Sequence, residues 1–219
     1  MRRHSLSAEK LIIFAAAKRG SSSVGRASAS QAEGRGFEPR LPLPQCQSPL
    51  NRSITLITGG TRSGKSTHAE RLALSWAPNP VYLATARIWD EDFRHRVERH
   101  QERRGPEWTN IEEDKALSRH DLTGRVVLID CLTLWATNFF FDLNEDGKQA
   151  YEAMQREFEE LTAQDARFIF VTNEIGWGGT SNSSLQNKFT DLMGRLNQYV
   201  ASRADEVILM VSGIPVKIK

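Results

Sequence analysis

The chain has 219 residues, 39% of them hydrophobic and 26% charged, which is enough for one α/β domain with a full core. Its net charge of +2 is unevenly placed: residues 1–52 hold nine of the 29 Lys+Arg and three of the 27 Asp+Glu, leaving 20 against 24 in residues 53–219. A mildly acidic body argues against a dedicated nucleic-acid binder, which usually shows a basic stripe, and no apolar stretch approaches the ~18 residues needed to span a membrane. The two cysteines, Cys46 and Cys131, have no metal spacing and give no disulfide framework, which fits a reducing cytosol and a cytoplasmic protein.

Residues 1–52 are rich in Ser, Arg, Gly and Pro and show no sustained periodicity. The apolar run Leu11–Ala17 after Arg2-Arg3 is short for a secretory signal and is followed by Lys18-Arg19, so it is rejected as one. The stretches over 21–27 and 34–41 resemble conceptual translations of transfer-RNA genes, which suggests a misplaced start codon or read-through from an upstream gene. The next Met after Met1 is Met154. A disordered tail is the alternative, and in either case 1–52 is expected to lie outside the fold and 53–219 to form a single domain.

From residue 53 apolar strands alternate with helices. Ile54–Thr58 reads as a buried strand, and Gly59-Gly60-Thr61-Arg62-Ser63-Gly64-Lys65-Ser66 fits the phosphate-binding pattern G-x-x-x-x-G-K-[ST]. The helix opening at Ser66-Thr67 runs to about Trp76. Strand, glycine loop and helix N-terminus together form an anion cradle: glycines bring backbone N–H groups close to phosphates, and the helix dipole favours their charge. Lys65 adds a point charge for the β/γ-phosphates and the Ser66 hydroxyl can ligate Mg²⁺. This run implies a bound nucleoside triphosphate. Further strands are expected at Val81–Thr85, Val126–Asp130, Phe168–Thr172 and Glu206–Val211. Helices are expected over 91–104 (charged and exposed), from Leu132 through Phe139, over 147–164, and from about 184 to Arg203. The pattern implies a largely parallel sheet covered by helices on both faces.

Two further residues carry chemistry. Asp130 ends an apolar strand, where a Walker-B carboxylate would hold Mg²⁺; the plainer reading is a cap for the next helix. His100 lies among arginines in Arg94–Trp108. Histidine in such a run is usually part of a solvated helix face, yet neutral imidazole is a good nucleophile near pH 7, and neighbouring cations stabilise an attacked phosphate. The composition suits nucleotidyl transfer through a phosphoramidate. Two rivals stay open here: a small-molecule P-loop kinase without nucleotidyl transfer, and a recombinase- or helicase-like ATPase on nucleic acid, which the acidic body disfavours.

The phosphate loop, Tyr82-Leu83-Ala84-Thr85-Ala86, the run from Arg96 to Trp108, Asp130–Thr133 with Asn138, and Val171–Gly176 occur in one order. Gly194–Gln198, Ala204–Val207 and Val211–Lys219 follow. Over roughly 54–219 this set resembles the bifunctional adenosylcobinamide kinase/adenosylcobinamide-phosphate guanylyltransferase family of cobalamin assembly. The resemblance implies a recombinase-type P-loop fold, a trimer, and two reactions. A triphosphate (GTP or ATP, with Mg²⁺) phosphorylates the aminopropanol hydroxyl of adenosylcobinamide. GTP then guanylylates a histidine, here His100, and the GMP passes to adenosylcobinamide phosphate, giving adenosylcobinamide-GDP. By the same resemblance Ala84, Thr85, Ala86, Gln101, Glu102, Arg103, Arg104, Glu112 and Asp130 fall where the family contacts GTP. The chain departs at Gly179-Thr180-Ser181 and Asn187–Asp191, where the family usually has Ile-Val-Pro and an Arg preceding Phe-Arg-Asp. That departure bears on corrinoid binding and subunit contacts more than on GTP.

Overall fold

A computed structural model describes residues 51–87 and 105–219. The expected helix over 91–104, the extension up to residue 50, and the candidates His100, Gln101, Glu102, Arg103 and Arg104 lie outside the described residues. The chain order is β1 (Ser53–Gly59), α1 (Lys65–Trp76), β2 (Val81–Ala84), β3 (Thr109–Glu112), β4 (Val126–Asp130), α2 (Leu132–Asp142), α3 (Gly147–Thr162), β5 (Arg167–Val171), α4 (Ser184–Arg203), β6 (Glu206–Val211) and β7 (Ile214–Lys217), with short 3₁₀ turns at Leu117–Arg119 and Gly176–Gly178.

The strands form one sheet in the order β3-β2-β4-β5-β1-β6-β7. All neighbours are parallel except β6 and β7, which are antiparallel. The sheet is thus largely parallel and flanked by helices, as expected. β5 lies between the strand that opens the phosphate loop and the strand that ends in Asp130.

The interior strands are apolar throughout because both faces are covered. Strand alternation sends Ile54, Leu56, Val81, Leu83, Val127, Ile129, Phe168, Phe170 and Val207 to the face packed by α2, α3 and α4. Ile57, Tyr82, Val126, Leu128, Ile169, Val171, Ile208 and Met210 face α1 through Ala69 and Ala73. Phe158, Phe168 and Phe170 form the aromatic centre of the first layer, with Phe158 and Phe170 centroids 5.1 Å apart. Among the described residues no helix is long and apolar enough to cross a membrane.

Two strands escaped the sequence reading, β3 and β7, and both sit at sheet edges. In β3 half-buried and exposed residues alternate, and only Ile111 packs on the core. β7 is exposed along its length and carries Pro215, which an edge tolerates because no second neighbour needs its N–H.

Candidate active site

The same alternation that builds the core sets the functional edge. Glu112, Ala84, Asp130, Val171, Ile57 and Ile208 are register partners in one row across β3, β2, β4, β5, β1 and β6. They lie on the α1 face at the carboxyl ends of the strands, where open α/β sheets bind ligands. Asp130 therefore faces the same side as the N-terminus of α1. Glu112 stands four interstrand spacings from β1, roughly 19 Å at ~4.8 Å per spacing. It flanks Ala84, well away from the glycine loop.

The loop between β1 and α1 has the geometry of an anion cradle. Gly59 has φ 145°, and a side chain there would put its Cβ 2.5 Å from the Met210 carbonyl oxygen. Gly64 caps α1 in the left-handed region at φ 94°. Helices α3 and α4 begin under side-chain caps: Asp146 accepts from Lys148 and Gln149, and Ser183 accepts from Gln186. Helices α1 and α2 have no side-chain cap, and the first N–H groups of α1 adjoin the glycine loop without a side-chain acceptor. Ser63 Oγ is buried with no hydrogen-bond partner among the described residues. The β6–β7 turn braces the loop from outside, where Gly213 donates its N–H to the Ser63 carbonyl at 3.0 Å. Thr61 and Arg62 are exposed at the loop tip, and Thr67 is exposed in the first turn of α1.

Lys65 is 7% exposed and donates to the Gly60 carbonyl at 2.6 Å. Burial lowers its pKa, and the charge of Asp130 opposes that effect. Asp130 accepts from the Tyr82 hydroxyl through Oδ2 at 2.7 Å, while Oδ1 accepts no hydrogen bond among the described residues. Tyr82 in turn packs edge-on against Trp108, with centroids 5.7 Å apart. The donor set fits Mg²⁺. Among the described residues no group of three or more His, Cys, Asp or Glu is arranged to hold a metal ion, and Mg²⁺ needs none, since it is held by one or two carboxylates with waters and substrate phosphates. Asp130 and the half-buried Ser66 hydroxyl supply that partial set. Cys131 is excluded as a nucleophile: burial first, and then the charge of Asp130, push its thiol up to about 12.

The segment after β2 is clamped on both sides of the stretch 88–104. Thr85 is fully buried; its hydroxyl donates to the Cys131 carbonyl at 2.8 Å and accepts from the Cys131 N–H at 2.9 Å. Asn138 donates to the carbonyls of both Thr85 and Asp114. Arg87, just after Ala86, pairs with Asp114 and with Asp142 at the end of α2. These two carboxylates hold the Arg87 guanidinium above its ordinary pKa.

A third group adjoins the loop and was not singled out in the sequence. Glu174, just past β5, donates its main-chain N–H to the Gly59 carbonyl at 3.2 Å. Its Oε1 accepts from the Thr58 hydroxyl and from Asn197 of α4, each at 3.0 Å. Asn197 also accepts from Thr172 at 2.7 Å. The available signal was a carboxylate following an apolar strand, in the run Val171–Gly176. The departing segment leaves the core intact: Phe189 is buried and packs on Phe140 at 5.4 Å. Lys188, Thr190 and Asp191 instead line a groove of about 960 Å³ between α4 and the α2–α3 turn.

The loop, the uncapped helix, Lys65 and Asp130 define a P-loop nucleotide-binding α/β protein. Residues 55–218 match the family described as cobinamide kinase / cobinamide phosphate guanyltransferase, and the chain belongs to that family. It is 38% identical over 181 residues to the bifunctional adenosylcobalamin biosynthesis protein CobU of Escherichia coli, covering 76% of this chain and 99% of that one. It is also 38% identical over 168 residues to the bifunctional adenosylcobalamin biosynthesis protein CobP of Pseudomonas aeruginosa, covering 75% and 96%. Among solved structures, the flagellar accessory protein FlaH of Methanocaldococcus jannaschii aligns at 12% identity with a TM-score of 0.40, covering 77% of this chain and 79% of that one.

Proposed function

We propose that this enzyme phosphorylates adenosylcobinamide and then transfers GMP from GTP, through guanylylated His100, to adenosylcobinamide phosphate, giving adenosylcobinamide-GDP and pyrophosphate. The observation that carries the nucleotide half is the uncapped N-terminus of α1 beside buried Lys65, with Asp130 on the same face. The Lys65 ammonium exchanges the Gly60 carbonyl for phosphate oxygens of GTP or ATP. Ser66 and Asp130 would hold Mg²⁺, whose chemistry there is to offset charge on the β- and γ-phosphate oxygens. Gly59 to Thr67 enclose the triphosphate. Ala84, Thr85, Ala86, Gln101–Arg104 and Glu112 bind GTP in the guanylyl step. The reading includes a homotrimer, a cytoplasmic location and no nucleic-acid partner.

His100 is the nucleophile under this reading, with Arg99, Arg103 and Arg104 offsetting charge at the attacked α-phosphate. His95, five residues earlier, is the internal control. The test is retention of label from α-labelled GTP after denaturing electrophoresis. Wild type and His95→Ala are expected to carry the label, and His100→Ala to lose it. Label on His100→Ala, or its loss from His95→Ala alone, removes His100 from the role.

A further inference from the structure

Phosphoryl transfer to an alcohol needs more than a phosphate cradle. The acceptor hydroxyl must be aimed at the γ-phosphorus, and its proton must leave as the new O–P bond forms. Lys65 and Ser66 are cationic or neutral donors, and Asp130 stands on the α1 face as the metal-side carboxylate. With Asp130 committed to Mg²⁺ under the proposed function, none of the three is left to receive that proton. The described residues offer one more carboxylate tied directly to the loop, that of Glu174.

We infer that Glu174 is the catalytic base of the kinase step, and that it orients and deprotonates the acceptor alcohol. The carboxylate is held at both ends of its own residue. The main-chain N–H is fixed to Gly59, the first residue of the phosphate loop, and Oε1 is fixed by Thr58 and Asn197. Oε1 is thereby occupied, whereas Oε2 accepts no hydrogen bond among the described residues. The Thr58 side chain belongs to the face packed by α2–α4, as its alternation with Ile54 and Leu56 requires. Glu174 therefore reaches the loop from the side opposite Asp130, and the two carboxylates stand on either side of the phosphate loop. One serves the metal side and the other is left for the entering alcohol.

The step balances. The alcohol oxygen forms its bond to the γ-phosphorus, the bond from that phosphorus to the β,γ-bridging oxygen breaks, and the nucleoside diphosphate leaves. The hydroxyl proton passes to Glu174 Oε2 and from there to solvent. The inference rests on the kinase activity of the family, so wild type is assayed in parallel.

Glu174→Gln separates base from anchor. The amide oxygen still accepts from Thr58 and Asn197, but the NH₂ in place of Oε2 cannot take a proton. The expected result is a fall in kcat for adenosylcobinamide phosphorylation of about 100-fold or more, the lower end of the ~10²–10⁴ that a positioned base contributes. KM for the triphosphate and the melting temperature are expected to stay at wild-type values. Glu174→Asp keeps a carboxylate and is expected to turn over faster than Glu174→Gln. Full kcat in Glu174→Gln overturns the inference. So does a raised KM or lowered melting temperature with kcat intact, which would make Glu174 only a strut between β1 and α4. Glu174→Asp no faster than Glu174→Gln overturns it as well. If wild type itself transfers no phosphate to adenosylcobinamide, the kinase reading falls and takes this one with it.

Discussion

Lys65 is held in the fold at a cost. Its ammonium is nearly enclosed, burial depresses its pKa, and it donates to the Gly60 carbonyl. A buried cation with few partners is disfavoured relative to water. Lys65→Met keeps most of the stem and removes the charge. Its melting temperature without ligand is expected to match or exceed that of wild type. Affinity for GTP is expected to fall by ~1.5–3 kcal/mol, the worth of a charge-assisted hydrogen bond, or about 10–150-fold. Titration calorimetry and thermal unfolding read the two effects separately. Unchanged affinity would remove Lys65 from the cradle, and a large loss of melting temperature would make its role structural.

Between elements, the junction of β2, α2 and the segment after β3 is electrostatic where the rest of the sheet is apolar. Arg87 bridges Asp114 and Asp142, and Lys115 adds a second contact to Asp142 at 2.7 Å. The hydrogen bond from Arg87, with support from Lys115, lowers the Asp142 pKa to about 2, against an ordinary 3.8. The folded value is the lower one, so this stabilisation is present above the unfolded pKa and is lost as pH falls from about 4 through 2. Arg87→Met is expected to melt below wild type at pH 7. Partly exposed pairs contribute ~0.2–1 kcal/mol, so the gap should be no more than about 2–4 °C. Thermal unfolding at stepped pH should show the gap closing toward pH 2; a gap independent of pH would assign the loss to packing. The same contrast between apolar and polar construction explains what the sequence revealed. Strands β1, β2, β4, β5 and β6 were legible because burial on both faces makes them continuous apolar runs. Edge strands β3 and β7 have no such run: one alternates and the other carries Pro215. The phosphate loop was legible because its parts are contiguous. The Glu174 arrangement was not, because Thr58 lies 116 residues from Glu174 along the chain and Asn197 lies 23 away.

For the whole molecule, the question is how much of the chain the fold needs. The family match begins at residue 55 and ends at 218, and the Escherichia coli relative is covered over 99% of its length by 76% of this chain. Residues 1–54 lie outside that family match. Their nine basic and three acidic residues give about +6, against about −4 from the 20 basic and 24 acidic residues of the body. A chain starting near Arg52 is expected to bind GTP as the full chain does. Its melting temperature should stay within about 2 °C, a difference of less than ~1 kcal/mol for a domain of this size. Opposite net charges offer one route by which the extension could matter, through docking on the acidic body. Such docking is screened by salt over a Debye length of ~10 Å at 0.1 M. Truncation that lowers the melting temperature at low salt only would show electrostatic docking. A loss that persists at high salt would show that residues 1–52 belong to the packed fold, and the boundary at residue 53 would be wrong.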